Sequence, residues 1–213
     1  HGILHSFPTR RSSDLAALRH ARRGGAALNF AIPSGNLGNA LAAIWVRAMG
    51  LPLGDIAIVT NANRVLADFF ETGEYRPRPS MPTIANAMDV GAPSNLERLR
   101  AGFAETGGLH TLSVDDATIR RRVPAFLADF DTIICPHTAT AAEFVARRRA
   151  EGDTRDWAIA ATAHPAKFET VVEPLIGRVV AVPATLSRWL DTPARAEPLP
   201  AQAEALATAL RHG

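Results

Sequence analysis

The chain of 213 residues contains one cysteine, Cys135, and one lysine, Lys167. A single cysteine excludes an internal disulfide framework and any cysteine-based zinc cage, and it fits a reducing cytoplasm. With no finger-like Cys/His spacing either, no metal is expected. No apolar run reaches the roughly 18 residues that a membrane span needs, because Arg, Asp, Gly or Pro interrupts every hydrophobic stretch. A soluble protein with no membrane partner is the expectation. Aromatics make up only 6% of the chain, and its formal charge of +2 is spread along it, with arginine clusters at 120–122 and 147–149. Without a basic stripe interleaved with aromatics, these clusters read as solvated helix faces, and nucleic acid is not expected as a partner.

What is present suits a folded globule. Hydrophobic residues are 47% and charged residues 21%, close to the globular average, and the length fits one domain with at most a short appended lobe. Residues 1–24 show no sustained period, and SFPTRRSSDL at 6–15 resembles translated adapter read-through. This leader is therefore read as artefactual or disordered, and 25–213 as the folded portion. Residues 26–32 (AALNFAI) are almost continuously apolar, as in a strand buried on both faces of a parallel sheet. A loop follows at 33–39, then a helix at 40–49 stopped by Gly50 and a second strand at 55–60. This strand–loop–helix–strand order builds parallel sheets. Further along, a short helix is expected at 63–70, an irregular Pro- and Gly-rich excursion at 72–82, and a helix capped by Ser94 or Asn95. Another helix begins at Asp115 or Asp116 and is ended or kinked by Pro124. Strands are expected at 132–135 (TIIC) and 157–161 (WAIAA), with helices at 139–150, 168–175 and 202–211. Strands alternating with helices make the fold class α/β.

Three stretches could carry chemistry. Ser34-Gly35-Asn36-Leu37-Gly38-Asn39 lies between a buried strand and a helix, where glycines let the backbone approach an anion and the helix dipole favours it. It is neither a Walker loop nor a three-glycine dinucleotide loop, and it reads equally as an ordinary tight turn. Ala161-Thr162-Ala163-His164-Pro165-Ala166-Lys167 ends another strand, so both loops could line one crevice at the carboxyl edge of a sheet. A threonine hydroxyl there can bond a heterocycle nitrogen; equally, it can cap a helix beside a solvated lysine. The third stretch, 86–98, places Asp89, Ser94, Asn95 and Arg98 around a helix start. Asp89 there could be a structural carboxylate and Arg98 its surface partner. Cys135 and His137 lack an orienting third group, and Cys135 reads as a buried structural residue.

Taken together, IPSGNLGN, MGLPL, VTNAN, FETGEYRPRPS, TIANAMDVGAPSN, CPHTAT and ATAHPAKF resemble the threonine synthase family in order and spacing, from about Asn29 to the C-terminus. The resemblance implies the tryptophan-synthase-beta-like architecture, PLP fold type II: a three-layer αβα arrangement around a mostly parallel sheet, incomplete in this chain. It implies pyridoxal 5′-phosphate (PLP) as cofactor and a lyase reaction converting O-phosphohomoserine and water to L-threonine and phosphate. By the same resemblance Gly35, Asn36, Leu37, Gly38 and Asn39 hold the cofactor phosphate, and Thr162 faces the pyridine nitrogen. Ser94, Asn95, Arg98 and Lys167 lie near the substrate phosphate. The family's cofactor-bearing lysine belongs to a motif upstream of the glycine loop, and no segment here matches it. Lys167 belongs to AHPAKF instead. The resemblance is thus to the C-terminal half only: the catalytic lysine is not assigned, the missing N-terminal half is the implied partner, and the chain by itself is expected to be inactive. Leu37 stands where the family usually has an aromatic, and residues 62–64 depart from its acidic pattern. The alternatives are another lyase or dehydratase of the same fold, and a non-catalytic domain that binds a phosphate ligand.

Overall fold

Strand β1 (Leu28–Pro33) is buried at every residue, as its almost continuously apolar sequence leads one to expect. The computed structural model describes residues 12–102, 107–184, 187, 193 and 198–212. They fall into two compact units, His1–Val180 and Ala181–Gly213. In the first, β1 pairs in parallel with β2 (Leu53–Thr60) on one side and β4 (Trp157–Ile159) on the other, while β3 (Leu109–Ser113) pairs in parallel with β2. The strand order is β3-β2-β1-β4. The second unit contributes helix α8 (Ala203–His212), where the sequence predicts one at 202–211.

Helix α2 (Gly38–Ala48) connects β1 to β2, and α3 (Val65–Thr72) with α4 (Leu96–Gly102) lies between β2 and β3. The return to β4 runs through α5 (Asp116–Phe130) and α6 (Pro136–Ala150), and α7 (Glu169–Ile176) follows β4. Alternation along the strands sorts these helices into layers. Phe30, Ile32, Ile56 and Ile58 form one core with Leu41 and Ile44 of α2, Leu66 of α3, and Leu96 and Leu99 of α4. Each such large side chain taken from water contributes roughly 2–3 kcal/mol. The intervening residues Ala31, Ala57 and Val59 are fully buried or nearly so, and α6, which packs on β1, β2 and β4, buries Ala139, Ala141 and Ala142. Small residues on both partners let α6 approach the sheet closely. The result is the expected α/β fold, a parallel sheet between helical layers.

Polar contacts fix the details. Register shifts by one residue between Leu28 and Phe30 against β2, and the Asn29 side chain fills the irregularity. It accepts from Asp55 N at 2.7 Å and donates to the Asp156 carbonyl at 2.9 Å. A Cβ on Gly54 would lie 2.4 Å from Asn29 Oδ1, so this position excludes any side chain. Glu143 of α6 accepts from Arg122 of α5 and from Arg147, both at 2.8 Å, joining the two helices.

One local expectation is corrected, and three further features add to the sequence reading. Residues 132–135 are not a strand but part of the short link between α5 and α6: no neighbouring strand is there to pair with TIIC, Ile134 is buried, and Cys135 becomes the N-cap of α6. Pro124 does not end α5, which runs 15 residues through it. The roughly 3 kcal/mol that an interior proline costs is offset by burial of Ile119 and Val123 and by the Arg122–Glu143 pair. β3, where LHTLS shows no clear period, is imposed by its neighbour β2, to which all five residues pair. Finally, Ser12–Arg22 forms helix α1 despite its irregular pattern, with Ala17 buried in the core of the first unit. Residues 1–11 lie outside those described.

Candidate functional site

The strand order places a switch point between β1 and β4. From β1 the chain moves outward through β2 to β3, then returns to the far side of β1 to form β4. Loops leaving the carboxyl ends of the two strands at such a point diverge and leave a crevice. Here those loops are 34–37, leading into α2, and 160–164, carrying Thr162. The two strands stay in register at this end, Ala31 opposite Ile159, with Ala160 N donating to the Ala31 carbonyl at 3.0 Å.

The first loop is built to expose backbone amides. Ser34 is buried, and its amide continues the ladder to the Val59 carbonyl at 2.8 Å. Leu37 then adopts a left-handed conformation (φ 63°), unusual for leucine and costing roughly 1–2 kcal/mol. Burial of its side chain to 1% exposure offsets that cost. The turn aims the first amides of α2 outward, where they have no partner within the helix. No acidic residue occupies the first turn of α2. The arrangement suits an anion.

Behind this loop stands a wall formed by residues 86–90. A Cβ on Gly35 would come within 2.7 Å of Met88 Cα and 3.0 Å of the Val90 side chain, so loop and wall touch backbone to side chain without slack. The wall is held by a part-buried polar network centred on Asp89. Asp89 Oδ1 accepts from Asn61 Nδ2 and Thr83 Oγ1, each at 2.7 Å, and from Asn63 Nδ2 at 3.1 Å, while its Oδ2 accepts from Thr83 N at 3.0 Å. Asn63 also receives the Met81 amide at 2.7 Å. Asp89 is therefore a structural carboxylate, one of the two readings open to it. The signal was in VTNAN, whose two asparagines sit two apart just beyond a buried strand.

Asn36 joins the phosphate-loop candidate to the third stretch. Its amide pairs with Ser94 Oγ at 3.0 Å, its carbonyl accepts from Asn95 Nδ2 at 2.8 Å, and Arg98 donates to Asn95 Oδ1 at 2.9 Å. Ser94 and Arg98 are exposed and Asn95 half-buried, so this chain of side chains lies on the surface beside the loop. Arg98 has Asn95, not Asp89, as its partner. Gly38 and Asn39 open α2 and are half-buried. Thr162 and Lys167 are both exposed on the β4 side of the crevice, Lys167 within a 3-10 turn (Pro165–Phe168) whose start is capped by His164. Among the described residues no hydrogen bond joins Thr162 or Lys167 to the Asn36 group. Cys135 is buried, its sulfur 3.2 Å from Thr138 Oγ1. His137 is buried beneath the site; burial depresses its pKa, opposed by nearby Asp89 and reinforced by Lys167. Among the described residues no group of three His, Cys, Asp or Glu side chains could hold a metal, and no helix is long and apolar enough to cross a membrane.

Comparison with known proteins finds threonine synthases by family model, by sequence and by fold. The model of the threonine synthase C-terminal domain matches residues 138–210. Threonine synthase of Serratia marcescens is 32% identical over 178 residues, covering 82% of this chain and 41% of that protein. The crystal structure of threonine synthase from Escherichia coli superposes with a TM-score of 0.74 at 29% identity, covering 87% of this chain and 44% of that one. The PLP-bound threonine synthase from Brucella melitensis shares the fold with a TM-score of 0.77 at 24% identity, over 94% of this chain and 50% of that one. Sequence and fold together make this chain a relative of the threonine synthases, of whose curated representatives it spans about two fifths of the length.

Proposed function

We propose that this chain forms the cofactor-phosphate and substrate side of a threonine synthase, a PLP-dependent carbon–oxygen lyase that turns O-phosphohomoserine and water into L-threonine and phosphate. The observation that carries the reading is the meeting of two loops at the β1/β4 switch point, one ending in the amide-rich start of α2 and the other bearing Thr162. The residues fit the cofactor: backbone amides and the Asn36 group suit a phosphate dianion, and a neutral hydroxyl suits a ring nitrogen. When bound, pyridoxal 5′-phosphate supplies an electron sink for carbanions at the substrate's α and β carbons. Gly35, Asn36, Leu37, Gly38 and Asn39 hold its phosphate. Thr162 donates its hydroxyl to the pyridine nitrogen and leaves that nitrogen unprotonated, a weaker sink than a carboxylate partner would give. Ser94, Asn95, Arg98 and Lys167 receive the substrate phosphate, the two cations drawing a dianion to the rim of the crevice.

The lysine that carries the cofactor comes from a segment outside these residues, which acts as this chain's partner in a cytoplasmic enzyme. Lys167, which lies in AHPAKF, is not given that role. The test is an assay of the protein that joins this chain to a lysine-bearing upstream segment. Equal yields of threonine and inorganic phosphate from O-phosphohomoserine support the reading. A 2-oxo acid formed from serine or threonine, with no phosphate released from O-phosphohomoserine, would assign the chain to a dehydratase of the same fold.

A further inference from the structure

We infer that His137 is a positioning residue for the phosphate loop: from the first turn of α6 it accepts the Ala87 amide proton and so fixes the turn against which Gly35 is seated. The inference rests on the reading of 34–39 as the phosphate cradle. Ala87 N donates to His137 Nε2 at 3.1 Å, so Nε2 presents its lone pair and Nδ1 carries the proton. The ring is 3% exposed, and burial favours its neutral form. Among the described residues the Ala87 amide has no other partner, whereas Met88 N and Asp89 N close the 3-10 turn itself onto Ala85 and Asn86.

The turn Asn86–Met88 therefore has two external anchors. Asp89 ties its end to Asn61, Asn63 and Thr83, and His137 ties its middle to α6. Between the anchors lies Met88, whose Cα leaves no room for a Cβ on Gly35. A turn that moves away from α6 opens space behind Gly35, and the amides of 35–38 lose the backing that aims them at an anion. His137 also packs on Phe168, with ring centroids 4.8 Å apart, in the turn that carries Lys167. One buried side chain thus supports both loops of the crevice without reaching it.

Two variants of the full chain separate positioning from bulk. His137→Phe keeps a planar ring and loses the acceptor, whereas His137→Gln places a carbonyl oxygen near the reach of Nε2. Hydrogen exchange, followed residue by residue without ligand, should rise in His137→Phe at Ala87 and at 35–37, and return towards wild type in His137→Gln. The affinity for pyridoxine 5′-phosphate, which has no aldehyde to react with Lys167, should fall about fivefold in His137→Phe and recover in His137→Gln, the scale of one lost hydrogen bond. Identical behaviour of the two variants, or faster exchange spread evenly over the sheet, would overturn the inference. If wild type does not bind pyridoxine 5′-phosphate, the cradle reading fails, and the exchange comparison still decides whether His137 holds the loop.

Discussion

The two ends of the parallel sheet use polar side chains in opposite ways. At the amino end, Asp55 accepts from His110 Nε2 at 2.9 Å and from Arg155 Nη1 at 2.8 Å, linking the starts of β2, β3 and β4. Asp153, only 5% exposed, takes Arg155 Nη2 at 2.8 Å and Trp157 Nε1 at 3.2 Å. The ionised groups there close on one another. At the carboxyl end, Asn36, Ser94, Arg98, Thr162 and Lys167 stand exposed near the start of α2, while the half-buried Asp89 ties the wall behind them. The same sheet thus has a self-satisfied end that holds strands together and an open end available to a ligand. Ion pairs within reach of solvent contribute little each, so the amino end matters through cross-strand linkage more than through charge.

Substitutions can break this contrast. The largest loss is expected from Gly91→Ala, because a Cβ there would lie 1.7 Å from the Arg78 carbonyl oxygen, and backbone must move. We expect about 4 kcal/mol of destabilisation, read by urea unfolding. Asp89→Ala should follow at about 3 kcal/mol, since the buried Asn61 and Asn63 and the half-buried Thr83 lose an acceptor, with binding of pyridoxine 5′-phosphate weakened as the wall loosens. Arg155→Ala, at the other end, should cost about 1 kcal/mol or less and leave that binding unchanged. Asn36→Ala reverses the pattern: stability within about 0.5 kcal/mol of wild type for an exposed side chain, with affinity for the phosphorylated ligand down by about fivefold. Equal binding losses from Arg155→Ala and Asn36→Ala would dissolve the distinction between the ends.

Acidity probes the two ends at different pH. The pKa of buried His137 lies below its usual 6.5, so the unfolded chain binds the extra proton first and this contribution to stability declines as pH falls through about 6.5 towards the lower folded value. Asp153 is held low by Arg155. At Asp55, burial pushes upward, but His110 and Arg155 prevail and lower it. Both contributions are full above the ordinary aspartate pKa of 3.8 and are lost only below it. Protection of the Ala87 amide, taken relative to its intrinsic exchange rate at each pH, should therefore fall in mild acid while the β1–β4 pairing stays protected.

Much of this was legible in the sequence because burial writes itself into composition. The apolar run of β1 follows from local chemistry, as do α2 and α6, expected from 40 and 139 and observed from Gly38 and Pro136. The TIIC stretch misled because it was judged by local preference, and helix packing between α5 and α6 decided otherwise. β3 was silent because half-buried residues at a sheet edge need no alternation. At the site, the loop 34–39 and Thr162 were readable as candidates. The bracing of the loop by Met88, Asp89 and His137 was not, since it joins residues far apart in the chain, Ala87 and His137 by 50 positions and Gly35 and Met88 by more.

The most direct test of the central claim is equilibrium binding of pyridoxine 5′-phosphate and of pyridoxine to the full chain, followed by the fluorescence of its three tryptophans. A cradle for the cofactor phosphate predicts saturable binding of the phosphorylated compound, weakened by Asn36→Ala, with little or none of the alcohol. Equal affinity for the two compounds, or binding that Asn36→Ala leaves untouched, would contradict it.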